Sequence, residues 1–126
     1  MDINYWSLRG YSPRPEQVTI IDRISAAMDC GYENIILEAG TGIGKSAIAT
    51  TIARMVDNSY ILTMTNQLQA QYLHDFRYML TEIKGRNNYP CNYGGGCNNC
   101  QMEKEQEKRC PDCEYLAALQ EAQRSS

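Results

Sequence analysis

The stretch LEAGTGIGKSAI, from Leu37 to Ile48, decides the predicted fold of this 126-residue chain. Its central part, Ala39 to Ser46, has the glycines and the final Lys-Ser pair of a loop that surrounds phosphate groups, with alanine in place of the usual first glycine. An apolar run precedes this loop and a helical pattern follows it, which is the context that such a loop requires. A glycine-rich turn without a ligand is the alternative, and the adjacent Lys45 and Ser46 argue against it.

The residue types of this loop suit the binding of a nucleotide. Glycines let backbone N–H groups approach phosphate oxygens without a side chain in between. Lys45 and Ser46 are the predicted catalytic residues, because the ammonium reaches the β- and γ-phosphates and the hydroxyl joins the shell of Mg²⁺. ATP and Mg²⁺ are the predicted ligands, and the predicted binding residues in the loop are Ala39, Gly40, Thr41, Gly42, Ile43, Gly44, Lys45 and Ser46.

Hydrophobic periodicity around the loop predicts an α/β fold. A helix from about Pro15 to Cys30 leads into a β-α-β-α order, which is typical of a parallel sheet covered by helices. Two strands are few for such a sheet, so we expect the front part of a larger domain. The strands are predicted at NIILEA (34–39) and SYILTMT (59–65), and the helices that follow them at 45–56 and 66–80, with a further helix beginning in CEYLAALQEAQRSS (113–126).

Composition and charge limit the classes of function. The chain is 43% hydrophobic and 21% charged, as in ordinary globular proteins. Its net charge of −3 gives no overall electrostatic attraction for nucleic acid, so DNA contacts would have to be local. No apolar run approaches the roughly 18 residues of a membrane span, and no signal pattern begins the chain, so we expect a cytoplasmic protein without a membrane partner.

Five of the six cysteines lie between Cys91 and Cys113, in a segment without apolar periodicity. In a reducing compartment such clusters indicate metal ligands rather than disulfides. The pairs Cys97–Cys100 and Cys110–Cys113 stand nine residues apart, and this spacing by itself favours tetrahedral zinc. A segment rich in glycine and asparagine has little besides a metal to order it.

Four stretches in order give the chain a family resemblance. AGTGIGKS resembles motif I of superfamily 2 helicases, and RPEQ, at Arg14 to Gln17, resembles the motif in which a glutamine reads adenine. TMTNQLQAQYL, from Thr63, resembles the motif Ia turn that contacts the DNA backbone. KGRNNYPC, from Lys84, is similar to the segment that introduces the first cluster cysteine of XPD/DinG-like iron–sulfur helicases. The chain therefore resembles the N-terminal portion of that family.

The resemblance implies roles for particular residues. Gln17 would read adenine with support from Arg14, and Thr63, Thr65 and Gln67 would contact single-stranded DNA. A [4Fe–4S] cluster would replace zinc as the bound metal, although the cysteines here lie closer together than in the family and number five rather than four. Its implied ligands are Cys91, Cys97, Cys100 and Cys113, with Cys110 as the alternative ligand.

The predicted architecture is a partial RecA-like P-loop parallel sheet at 1–83, a cysteine-rich metal-binding insertion at 84–113, and a returning helix at 114–126. The predicted function is that of an ATP-dependent DNA helicase. The chain has no pair of acidic residues after an apolar run. We therefore expect that it does not hydrolyse ATP by itself and that the remainder of a helicase completes the hydrolytic site. The alternative is a stand-alone nucleotide- and metal-binding module that acts through another protein.

Overall fold

The computed structural model describes residues 2–91 and 112–125, and the regular secondary structure in these ranges is helical. The four predicted α-helices are confirmed in these ranges. Packing divides the chain into two units, one formed by Met1–Met64 with His74–Phe76 and the other by Thr65–Leu73 with Arg77–Ser126. The elements are α1 (Pro15–Asp29), α2 (Lys45–Arg54), α3 (Asn66–Phe76) and α4 (Glu114–Arg124), with short 3-10 helices at Ile3–Tyr5 and Arg86–Asn88.

The predicted fold class, a RecA-like parallel sheet, is wrong. Residues 34–39 and 59–65 are irregular, and the described part of the chain contains no β-strand. Ile36, Leu62 and Met64 are 96%, 92% and 98% exposed, although the apolar runs that contain them predicted burial. An apolar run becomes a strand only where a second segment pairs with it along a ladder of N–H and C=O groups, and the described residues form no such ladder.

Local signals explain where α1 begins. Pro15 lies in its first turn, where a missing N–H costs no hydrogen bond, and Glu16 lies at the positive end of the helix dipole. The side-chain Oε1 of Gln17 accepts a hydrogen bond from the backbone N–H of Arg14 at 2.8 Å. Ile21, one turn further along the helix, is fully buried. The helix therefore carries Arg14 and Gln17 at its N-terminal end.

A network of buried hydroxyl groups joins the N-terminal segment to α2. Ser7, Thr50 and Thr51 are all fully buried. The Ser7 hydroxyl donates to the carbonyl of Ala47 at 3.0 Å and lies 2.7 Å from Oγ1 of Thr50. Oγ1 of Thr51 accepts the Ser7 backbone N–H at 3.2 Å. Because unpaired buried polar groups are costly, this network determines which residues of the segment contact α2.

In the second unit, two tyrosines connect the chain before Cys91 to α4. The rings of Tyr89 and Tyr115 lie 5.6 Å apart in an edge-to-face arrangement, and the guanidinium of Arg86 lies 5.0 Å from the centre of the Tyr115 ring. The Tyr89 hydroxyl accepts the backbone N–H of Lys84 at 3.0 Å. These contacts place the first turn of α4 beside the residues that lead to Cys91.

Within residues 2–91 and 112–125, none of the helices has the length and hydropathy of a membrane span. The domain boundaries after residues 83 and 113 stay a prediction.

Candidate nucleotide site

The loop from Ala39 to Ser46 leads directly into the N-terminus of α2. Gly42 and Gly44 have φ angles of +79° and +82°, a left-handed conformation that favours glycine over any residue with a side chain. Lys45 is the first residue of α2. The first N–H groups of a helix have no acceptor within it and carry the positive end of its dipole. The loop therefore ends in a helix start that is suited to an anion.

The side chain of Lys45 turns back over the loop. Its Nζ donates to the carbonyl of Ala39 at 3.0 Å and to that of Gly40 at 2.9 Å. Both bonds hold a positive charge beside the loop, and the exposure of Lys45 leaves this charge accessible from solvent. Ser46 follows as the second residue of α2 and is half-buried. The two predicted catalytic residues thus lie side by side where the loop ends.

Arg14 and Gln17 reach the same loop from the start of α1. Nη2 of Arg14 donates to the carbonyl of Gly42 at 2.7 Å, and Nε2 of Gln17 donates to that of Ile43 at 2.9 Å. Gln17 is only 5% exposed. A Cβ at Gly44 would lie 2.5 Å from Nε2 of Gln17, so the amide is packed against this glycine. The structure therefore brings together the loop and the two residues of RPEQ that were predicted to belong to its site.

The three residues predicted to contact DNA lie at or before the start of α3. Thr65 is the residue that caps this helix, and its Oγ1 accepts the backbone N–H of Leu68 at 3.2 Å. Gln67 is exposed and Thr63 is half-buried. Thr63 belongs to the first unit, whereas Thr65 and Gln67 belong to the second. Their contact with DNA stays a prediction.

Cys91 and Cys113 are the predicted metal ligands that fall within the described residues. Both are half-buried thiols outside any disulfide. Among those residues no group of three or more His, Cys, Asp or Glu side chains could hold a metal ion. Two thiolates are fewer than the four that a structural zinc or a [4Fe–4S] cluster requires. The other proposed ligands, Cys97, Cys100 and Cys110, lie outside the described residues.

The contacts between the N-terminal segment and α2 were not predicted from the sequence. Nη1 of Arg54 donates to the carbonyls of Trp6 at 2.9 Å and Tyr5 at 3.3 Å, next to the hydroxyl network of Ser7. The sequence of α2 did indicate a contact with another segment, because Thr50 and Thr51 lie on the same buried face as Ala47, at helical spacing. Buried threonines on such a face require hydrogen-bond partners, which Thr50 finds in the carbonyl of Ser46 on its own helix at 2.8 Å and Thr51 finds in Ser7.

Comparison with protein families matched residues 10–124 to the family described as "Type III restriction enzyme, res subunit" (ResIII), whose domain is the N-terminal helicase domain of superfamily 2. The matched range includes α1, the loop, α3 and the cysteine segment. The comparisons with curated proteins and with solved structures gave no match.

Proposed function

Because the chain belongs to the ResIII family, which has a helicase-type, ATP-dependent, DNA-acting function, we propose that it binds ATP and Mg²⁺ at Ala39–Ser46 as part of a DNA helicase. The complete activity would be the unwinding of DNA driven by ATP hydrolysis. The observation that carries the proposal is the geometry of the loop. The loop contains Gly42 and Gly44 in the left-handed conformation and ends at the start of α2, and the side chain of Lys45 lies over it.

In the proposed complex, the phosphates bind at the start of α2. Backbone N–H groups of the loop and of the first helical turn donate to phosphate oxygens, as at other helix N-termini that bind phosphate. Lys45 exchanges its bonds to the Ala39 and Gly40 carbonyls for bonds to the β- and γ-phosphates. The Ser46 hydroxyl would be a ligand of Mg²⁺, which neutralises charge on the same oxygens.

Replacing Lys45 tests this proposal. Lys45→Ala removes the charge that faces the phosphates, so we expect the affinity for Mg²⁺–ATP, measured by isothermal titration calorimetry, to fall at least about tenfold. Lys84→Ala is the matched control, because Lys84 is also a lysine but pairs with Glu82 at 3.3 Å in the other unit. Equal affinities of the wild type and Lys45→Ala would contradict the proposed site.

We also propose that single-stranded DNA binds at the start of α3. The family acts on DNA, and support comes from the exposed Gln67 and from Thr65 at the helix N-terminus, where phosphate contacts are favourable. Hydroxyl and amide groups at this position would contact the DNA backbone without reading its sequence. Thr63 is the third proposed contact.

The cysteine segment is proposed to bind a metal through thiolates, as the resemblance to iron–sulfur helicases implies. Cys91 and Cys113 have the donor chemistry that both a [4Fe–4S] cluster and zinc accept, and neither thiol is used in a disulfide. The family match supports a superfamily 2 helicase and does not extend to the iron–sulfur group. Metal analysis of the purified chain distinguishes the two metals.

A further inference from the structure

We infer that Gln17 and Arg14 are positioning residues that set the backbone of the phosphate loop, so that their loss weakens the binding of any polyphosphate, whatever its base. The inference rests on the proposed function, since it concerns the same loop. It differs from the role that the family resemblance implies, in which Gln17 acts on adenine alone.

The orientation of two peptide groups supports this role. The carbonyl of Gly42 accepts from Arg14 at 2.7 Å, and the carbonyl of Ile43 accepts from Gln17 at 2.9 Å, so both carbonyls point at the start of α1. In a trans peptide the N–H group points opposite to the C=O group of the same plane. The N–H groups of Ile43 and Gly44 therefore point away from α1. The two side chains thus determine the direction in which these N–H donors face.

The amide of Gln17 is engaged by the protein at both ends. Its Oε1 accepts the backbone N–H of Arg14 at 2.8 Å, while its Nε2 donates to Ile43. The side chain is nearly buried and lies against Gly44. A glutamine in this position is coupled to the loop before any base arrives, and this coupling is independent of whether the base is adenine or guanine.

Gln17→Met tests the inference, since methionine has a similar length and no hydrogen-bonding amide. Titration calorimetry with ATP, GTP and inorganic tripolyphosphate, each with Mg²⁺, gives three affinities for the wild type and the variant. We expect all three to weaken by the same factor, about tenfold, because the lost bond acts on the loop. A loss for ATP, with GTP and tripolyphosphate unchanged, would assign Gln17 to adenine and overturn the inference.

Thr19→Ala is the matched control on the same helix, since the Thr19 hydroxyl is exposed and donates to the carbonyl of Pro15, within that helix, at 2.9 Å. We expect it to leave all three affinities unchanged. Circular dichroism melting of each variant without ligand separates stability from affinity. A lower melting temperature for Gln17→Met with unchanged affinities at a temperature where it is folded would show a merely structural role and overturn the inference.

Arg14→Lys keeps the charge and removes the planar guanidinium that reaches Gly42, so it tests the second contact without changing the field on the phosphates. We expect the affinities for all three ligands to fall several-fold by the same factor, and unchanged affinities would remove Arg14 from the inference.

A wild-type chain that binds ATP but not tripolyphosphate would overturn the inference and leave the proposed function standing. A wild-type chain that binds none of the three ligands would contradict the proposed function and the inference with it.

Discussion

Gly44 shows how one residue can meet two requirements at once. Its φ of +82° favours glycine, and the approach of the Gln17 amide leaves no room for a side chain. Gly10 has nearly the same φ, +80°, but a Cβ there would have no atom within 4 Å. The comparison of the two glycines separates the backbone requirement from the packing requirement.

Gly44→Ala is therefore expected to destabilise the chain more than Gly10→Ala. Left-handed strain alone costs about 1 kcal/mol, and the displacement of Gln17 adds to it at Gly44, for a total of about 2–3 kcal/mol. Urea denaturation without nucleotide measures both values. Equal losses of stability would mean that Gln17 moves aside from Gly44 at no cost.

The elements of this chain differ in how they depend on their surroundings. The α-helices carry local signals, such as Pro15 in the first turn of α1 and Thr65 at the start of α3, and the structure confirms them. The two apolar runs at 34–39 and 59–65 become strands only in a ladder with another segment, and the described residues contain no such ladder. Periodicity therefore identified the helices correctly and the strands wrongly.

Thr65→Asp tests the proposed DNA contact of α3 without removing the helix cap. Aspartate caps a helix as well as threonine does, so the helix should persist in circular dichroism spectra. Its carboxylate repels phosphate, so we expect about three- to tenfold weaker binding of a fluorescent single-stranded oligonucleotide at low salt, by anisotropy.

Thr65→Ser is the control for this experiment, because serine keeps both the cap and the hydroxyl and should bind DNA as the wild type does. If Thr65→Asp binds the oligonucleotide with unchanged affinity, the start of α3 is not a DNA contact.

At the scale of the whole molecule, the family match covers residues 10–124, so the loop and the cysteine segment belong to one matched region. The proposed nucleotide loop, Ala39–Ser46, lies wholly within the described residues. The proposed metal site has two of its thiols, at Cys91 and Cys113, among the described residues. The other proposed ligands lie between them in the sequence, outside the described residues.

Anaerobic purification followed by iron, sulfide and zinc analysis tests the proposed metal site. We expect about four iron and four sulfide ions per chain with visible absorbance, while a colourless chain with about one zinc would favour the alternative metal. Cys91→Ser and Cys113→Ser should each lower the metal content because a thiolate ligand is lost. Cys30→Ser is the control, since Cys30 is an exposed thiol outside the segment. A wild-type chain without metal would contradict the proposal.

Sequence by itself determined the helices, the loop and its joining to α2, because short-range rules govern each of them. A proline in the first turn, a capping threonine and glycines next to a Lys-Ser pair act through their immediate neighbours in the chain. The proximity of Arg14 and Gln17 to the loop was also predicted, although only through the family resemblance.

Only the tertiary structure decided which hydrogen bonds those residues form and whether the apolar runs pair as strands. Gln17 bonds to Ile43, Ser7 bonds into α2, and Ile36 and Leu62 stay exposed. The physical reason is that a hydrogen bond between residues 26 or 40 positions apart, or a strand pairing, depends on the path of the whole chain. No local pattern of residues contains that information.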